Sequence, residues 1–152
     1  VEHTSTNPTG PIHVGRTRNS IVGDSLSRIL KRYGYRVSTQ YFVNDTGKQV
    51  IGLYLGYLSS ENESLEIDNL LAGYRRIYKE IEEDKSREKD IESLIKKYES
   101  GEEAVVRQVR EICTVMLRGI ISSLARIGIK IDDYVWESGF LKSQEMDTVI
   151  SS

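Results

Sequence analysis

Several features that would mark a special environment are scarce or missing in this chain. One cysteine, Cys113, stands among apolar residues, so no disulfide framework or cysteine-rich metal site is available. That scarcity fits a reducing, cytoplasmic setting. No run of apolar residues approaches the length of a membrane span, and no charged-then-apolar leader opens the chain. Charge of one sign is not in excess: the formal net charge is -2, which excludes a generally basic, nucleic-acid-coating protein but leaves room for a local basic patch. Internal repeats and low-complexity tracts are absent, apart from one charged connection. What remains is 152 residues with 38% apolar and 29% charged side chains. That is enough for one ordinary soluble domain with a core.

The first sixteen residues, Val1-Glu-His-Thr-Ser-Thr-Asn-Pro-Thr-Gly-Pro-Ile-His-Val-Gly-Arg16, run from an apolar start through small polar residues to a Pro/Gly turn, then to His-x-Gly beside a helical pattern. This places His13 and Gly15 where a strand hands over to a helix, and helix N-termini attract phosphate. Ile21, Val22, Leu26, Ile29, Leu30 and Tyr33 then recur at steps that fit one helix face, with Gly34 as a stop. Tyr35 to Val43 is β-branched and aromatic, and Asn44-Asp45 with Gly47 ends it as a turn. Strand, helix, strand in that order is a βαβ unit. A short helix follows, from about Lys48 to Tyr57.

Composition shifts after Leu58. Ile67, Leu70, Leu71, Tyr74, Ile77, Tyr78 and Ile81 mark one amphipathic helix; Ile91, Leu94, Ile95 and Tyr98 mark another. Glu82 to Asp90 between them reads as a solvated face or exposed connection. Ser100-Gly-Glu-Glu103 reads as a capping box that starts a longer helix with Val109, Ile112, Cys113, Met116, Ile120, Ile121, Leu124 and Ile127 on its apolar face. Ile129 to Trp136 alternates like a strand after Gly128. The pattern is β-α-β-α, a helical stretch, and a return to β.

Chemistry concentrates in three places. His13-Val-Gly-Arg16 offers an imidazole, a glycine that lets backbone approach, and a guanidinium, which are fixed donors suited to charge spread over phosphate oxygens. As a bare tetrapeptide it is equally an ordinary strand-to-helix turn; the preceding Thr-Gly-Pro and the βαβ order favour phosphate binding. Glu2, Ser5 and Asn7 put oxygen-bearing side chains along and after the first strand, although Asn7-Pro8 is also a good turn former. Glu137 follows a predicted strand, where open α/β sheets place their ligand crevice. Without further context it is a surface-turn glutamate, and Trp136 beside it reads as packing. Asp45 and Gln49, after the second strand, read as turn and capping residues at least as well as site residues, and carry no catalytic assignment. Arg75, Arg76, Lys79, Lys96, Lys97, Arg107 and Arg110 are interleaved with acids and read first as a solvated face.

The opening string resembles the nucleotide-binding signature of class I aminoacyl-tRNA synthetases, and in its fuller form the arginine-specific members of archaeal type. Tyr41 to Gln49 and Tyr134-Val-Trp-Glu-Ser138 resemble further segments of those enzymes. The family usually carries His-x-Gly-His, whereas Arg16 stands at the last position here, as in the archaeal type. The resemblance implies an α/β fold: the N-terminal half of a Rossmann-type parallel-sheet catalytic core with a helical insertion. The expected divisions are 1–58 for the first half, 59–128 for the insertion and 129–152 for the returning strand and turn. It implies catalytic roles for His13 and Arg16, ATP binding by His13, Gly15 and Arg16, and arginine binding by Glu2, Ser5, Asn7 and Glu137, where the glutamate meets the guanidinium. No metal site or tightly bound cofactor is expected; ATP enters as a substrate with Mg2+, and arginine and tRNA(Arg) are the other partners. Basic residues of the insertion would then lie near the tRNA acceptor end.

The abrupt ends of the chain, and the lack of a Lys-Met-Ser-Lys-like loop, a second Rossmann half and an anticodon-binding domain, lead us to expect a fragment that is inactive alone. The rival readings are another nucleotidyl-transferring enzyme with a His-x-Gly motif, and a non-catalytic RNA-binding fragment. Oligomeric state is not legible.

Overall fold

A computed structural model describes residues 1–60 and 64–141. Three parallel strands, β1 (Glu2–Thr4), β2 (Gln40–Val43) and β3 (Asp133–Trp136), form one sheet in the order β1-β2-β3. Six α-helices are described: α1 (Val14–Arg32), α2 (Gly47–Leu58), α3 (Ile67–Glu83), α4 (Glu88–Glu99), α5 (Glu103–Ala125) and α6 (Glu137–Leu141). The expected α/β class with a parallel sheet and a helical stretch between β2 and β3 is what the chain adopts. Two compact units result: one holds 1–7, 11–44 and 118 onward, the other 8–10 and 45–117.

In the first unit, β1, α1 and β2 make the βαβ crossover, and β3 joins the far side of β2 in register, Tyr41 against Tyr134 and Val43 against Trp136. Thr39 at the foot of β2 donates its backbone N–H and its hydroxyl to Asp132, both at 2.9 Å, which ties the starts of β2 and β3 together. Those hydrogen bonds hold the Asp132 carboxyl below the usual carboxylate range.

The apolar repeat locates α1 but is not its packed face. Ser20, Gly23 and Ser27 are buried, whereas Val22, Ile29 and Tyr33 are 62%, 54% and 81% exposed. Proximity explains the inversion. A Cβ on Gly23 would stand 2.0 Å from Cβ of His3, so the helix lies on β1 at a distance only small residues allow. Ser20 completes the contact by accepting from the Thr4 hydroxyl at 2.8 Å.

The second unit is built around α2, in which every residue from Val50 to Gly56 is buried. It crosses α3 at Gly56 and Gly73, where the two backbones touch and a Cβ on either glycine would meet the other at 2.6 Å. Ile77 and Ile81 of α3, Ile91 and Tyr98 of α4, and Val105, Val109, Ile112 and Cys113 of α5 fill the remaining core.

Four local expectations change, the first being that the strand read over Ile129 to Trp136 begins only at Asp133. The strand expected over Tyr35 to Val43 is only Gln40–Val43, because its neighbours offer three and four residues to pair with. Ser100 is no N-cap: it ends α4, donating its hydroxyl back to the Lys97 carbonyl, and Gly101 with φ +78 turns the chain. Ile127, placed on the α5 apolar face, lies beyond the helix end and is half exposed. The charged connection is an exposed 3-10 turn, Lys85–Arg87, capped by Asp84.

Candidate active site

In a parallel sheet all C-terminal strand ends share one edge, and a helix leaving β1 starts at that edge with its first amides lacking intrahelical acceptors. His13 is the residue before α1, in extended conformation (φ -109, ψ 164), and makes no side-chain cap bond. Its ring folds back over Gly15, where a Cβ would come within 3.3 Å of both Cε1 and Nδ1. Glycine at this position thus lets the imidazole lie against the first turn. His13, Gly15 and Arg16 are exposed.

Arg16 lies close enough to Tyr41 for its charge to counter the rise in that phenol's pKa, which burial pushes up to about 12. Tyr41 itself is fully buried and donates to the Thr6 carbonyl at 2.7 Å. This bond fixes the backbone between Ser5 and Asn7. Ser5, exposed, donates to the Phe42 carbonyl at 3.2 Å and so belongs to the same edge. Asn7 follows, half-buried.

Glu137 is the first residue past β3. Since Val43 pairs with Trp136, Asn44 and Glu137 are the next residues on adjoining strands. Glu137 opens α6, and that helix is seated by Phe140, whose ring stacks on Phe42 at 6.4 Å and 21°. Ser5, Asn7, His13, Gly15, Arg16 and Glu137 therefore all belong to the edge where β1 and β3 end and α1 begins.

Glu2 does not. It opens β1, three residues before Ser5, and a strand rise of about 3.3 Å per residue puts it roughly 10 Å toward the opposite edge. Tyr41 was missed by sequence reasoning; its strand position signalled burial, but nothing local marked its hydroxyl as the support for residues 5 to 7. Of the basic insertion residues, Arg76 pairs with Glu80 and Lys79 with Glu83 along α3, and Arg110 pairs with Asp45. The first two are the ion-paired, solvated face expected of interleaved charges.

These features define a class: an α/β domain whose sheet edge offers amides, an imidazole and a guanidinium at a helix start, as nucleotide-binding parallel sheets do. The family described as tRNA synthetases class I (R), catalytic domain, matches residues 1–151, and the chain belongs to it. An arginine–tRNA ligase of Thermoplasma acidophilum is 55% identical over 141 residues, covering 93% of this chain and 26% of that protein. One from Methanobrevibacter smithii is 42% identical over 157 residues, covering 99% and 27%. A crystal structure of a candidate arginyl-tRNA synthetase from Campylobacter jejuni matches with a TM-score of 0.61 at 27% identity, over 97% of this chain and 32% of the other. The chain thus spans about a quarter of the length of the curated relatives it matches.

Proposed function

We propose that this chain forms the opening part of an arginine activation site, in a protein that joins arginine to ATP and passes it to tRNA(Arg) in the cytoplasm. A carboxylate oxygen of arginine attacks the α-phosphorus, the bond to the bridging oxygen breaks, and pyrophosphate leaves with that electron pair. No side-chain nucleophile is needed; the protein's part is orientation and stabilisation of charge. The observation that carries the reading is His13 folded over Gly15 at an exposed helix start, on the same sheet edge as Glu137.

In this reading the α1 amides, His13 and Arg16 meet phosphate oxygens, and Arg16 does so with a planar fork that stays charged at every relevant pH. Glu137 takes the arginine guanidinium, a carboxylate being its natural bidentate partner. Ser5 and Asn7 take the amino-acid backbone. Glu2 adds a carboxylate for the cationic substrate from lower on the same strand. The donors at the helix start suit phosphate rather than a metal, so Mg2+ would arrive held by the triphosphate as part of the substrate. The divisions 1–58, 59–128 and 129–152 belong to the same proposal.

The test is amino-acid-dependent pyrophosphate exchange by the intact polypeptide with cognate tRNA present. Exchange with arginine, and an arginine KM raised about tenfold or more in Glu137→Gln, is expected from loss of a charge-assisted hydrogen bond. Exchange with another amino acid, or with none, refutes the specificity. Binding of tRNA with no ATP-dependent exchange points instead to a non-catalytic RNA-binding role.

A further inference from the structure

β1 does not run straight into the site edge. Glu2 pairs with Gln40 and Thr4 with Tyr41, so two steps along β1 answer one along β2 and the register shifts at His3. In a regular strand neighbouring side chains point to opposite faces. Here His3 and Thr4 both meet α1. His3 lies against Gly23, and its Nδ1 is 2.7 Å from the Thr4 hydroxyl, which donates to Ser20. Ser20 and Gly23 share one face of α1, so the extra residue has turned two successive side chains to the same side, as a bulge does. Every residue beyond it then faces the opposite way from the one an unbroken strand would give. Thr4 and Thr6 are accordingly buried, and Ser5 between them is exposed.

Pairing of β1 with β2 ends at Thr4, although β2 continues to Val43 and β3 pairs with it that far. Past Thr4 two side-chain hydrogen bonds join the strands. The Tyr41 hydroxyl donates to the Thr6 carbonyl at 2.7 Å, and the Ser5 hydroxyl donates to the Phe42 carbonyl at 3.2 Å. Only the Tyr41 bond is buried, and its ring is walled by Tyr134 of β3, with 6.2 Å between centroids. Side chains stand off a sheet, so a phenol holding the Thr6 carbonyl keeps that residue out of the plane of the ladder. We propose that Tyr41 is a positioning residue for arginine binding: the bulge at His3 sets which way residues 5 to 7 face, and the Tyr41 hydroxyl sets where they stand, presenting Ser5 and Asn7 to the amino-acid backbone of the substrate. Tyr41 itself, fully buried, does not touch the substrate. The proposal rests on the arginine-activation reading above, and all of its residues belong to one compact unit.

The experiment uses the intact polypeptide with tRNA, and compares Tyr41→Phe with Tyr134→Phe by pyrophosphate exchange and thermal melting. Tyr41→Phe keeps the buried ring and deletes only the hydroxyl. Tyr134→Phe deletes the neighbouring hydroxyl and leaves the bond to Thr6 in place. In Tyr41→Phe the loss of one positioning hydrogen bond corresponds to about a fivefold rise in KM for arginine. Its KM for ATP and its melting temperature should stay near those of the parent, and Tyr134→Phe should match the parent throughout. A merely structural role for Tyr41 would lower the melting temperature and the active fraction while leaving the arginine KM unchanged, and that result overturns the proposal. An equal rise in the KM for both substrates, or the same rise in Tyr134→Phe, also overturns it. A parent protein that shows no exchange with arginine refutes the activation reading and this inference together, whereas a normal parent with an unaltered Tyr41→Phe refutes this inference alone.

Discussion

Replacing Gly23 by alanine sets two opposed effects against each other, and the geometry decides between them. Within a helix, alanine is favoured over glycine by about 1 kcal/mol, so an exposed site would gain stability. Position 23 is not exposed. The new methyl carbon would stand 2.0 Å from Cβ of His3, 2.5 Å from Cγ and 3.0 Å from Cδ2. A carbon–carbon contact needs about 3.5–4 Å, so α1 must retreat from β1 by more than an ångström. Overpacking of this kind costs about 1–3 kcal/mol, and a clash with a strand Cβ belongs at the upper end because no rotamer change relieves it.

The net expectation is a loss of about 1–2 kcal/mol, or roughly a 5- to 30-fold rise in the local opening that amide hydrogen exchange reads along α1. The melting temperature of the intact protein should fall with it. His3→Ala should not rescue the variant, since the nearest atom is the Cβ that alanine keeps. Asn19→Ala, at an exposed position of the same helix, serves as the control and should be neutral or slightly stabilising. A Gly23→Ala protein as stable as its parent, with unchanged exchange in α1, refutes the close-packing argument outright.

Gly56→Ala and Gly73→Ala should each destabilise by about 1–3 kcal/mol, read by thermal melting, because the added carbon meets backbone across the α2–α3 crossing. His13→Ala should leave the melting temperature unchanged, since the ring is exposed and caps nothing, while slowing pyrophosphate exchange in the intact polypeptide by about 10²- to 10³-fold. His3 titrates below its ordinary value because burial penalises the imidazolium, and its Nε2 is buried without a hydrogen-bond partner among the described residues. The unfolded chain therefore takes up that proton near pH 6.5 and the folded chain only lower. Stability should decline as the pH falls below 6.5, and His3→Gln should flatten that decline in melts taken between pH 7.5 and 5.

The order of elements and the place of the helix start were readable because turn chemistry and periodicity are local. Pro8 to Gly15 announces a turn leading into a helix start whatever surrounds it. Gly34 stops α1 where a positive φ is needed, and it has φ +90. Strand length was not readable from Tyr35 to Val43, because a strand ends where its neighbours do and the neighbours lie far away in sequence. The packed face of α1 was hidden for a related reason. Periodicity assumes that the largest apolar side chains face the core, yet at a very close helix–strand approach the absence of side chain is what packs. Asp45 looked like one more turn residue, since Tyr98 and Arg110, which bond to it, stand 53 and 65 positions away.

The inverted order of α1 has a consequence for mutational tolerance. Along the ridge of Val22, Ile29 and Tyr33, polar replacements cost little within this chain, because those side chains already meet water. Along Ser20, Gly23 and Ser27, conservative enlargements should be rejected. A substitution map would thus show the hydrophobic stripe as permissive and the small polar stripe as strict, the reverse of an ordinary amphipathic helix. Wherever the same map in the intact polypeptide turns strict at Val22 or Ile29, the difference measures what rests on that ridge.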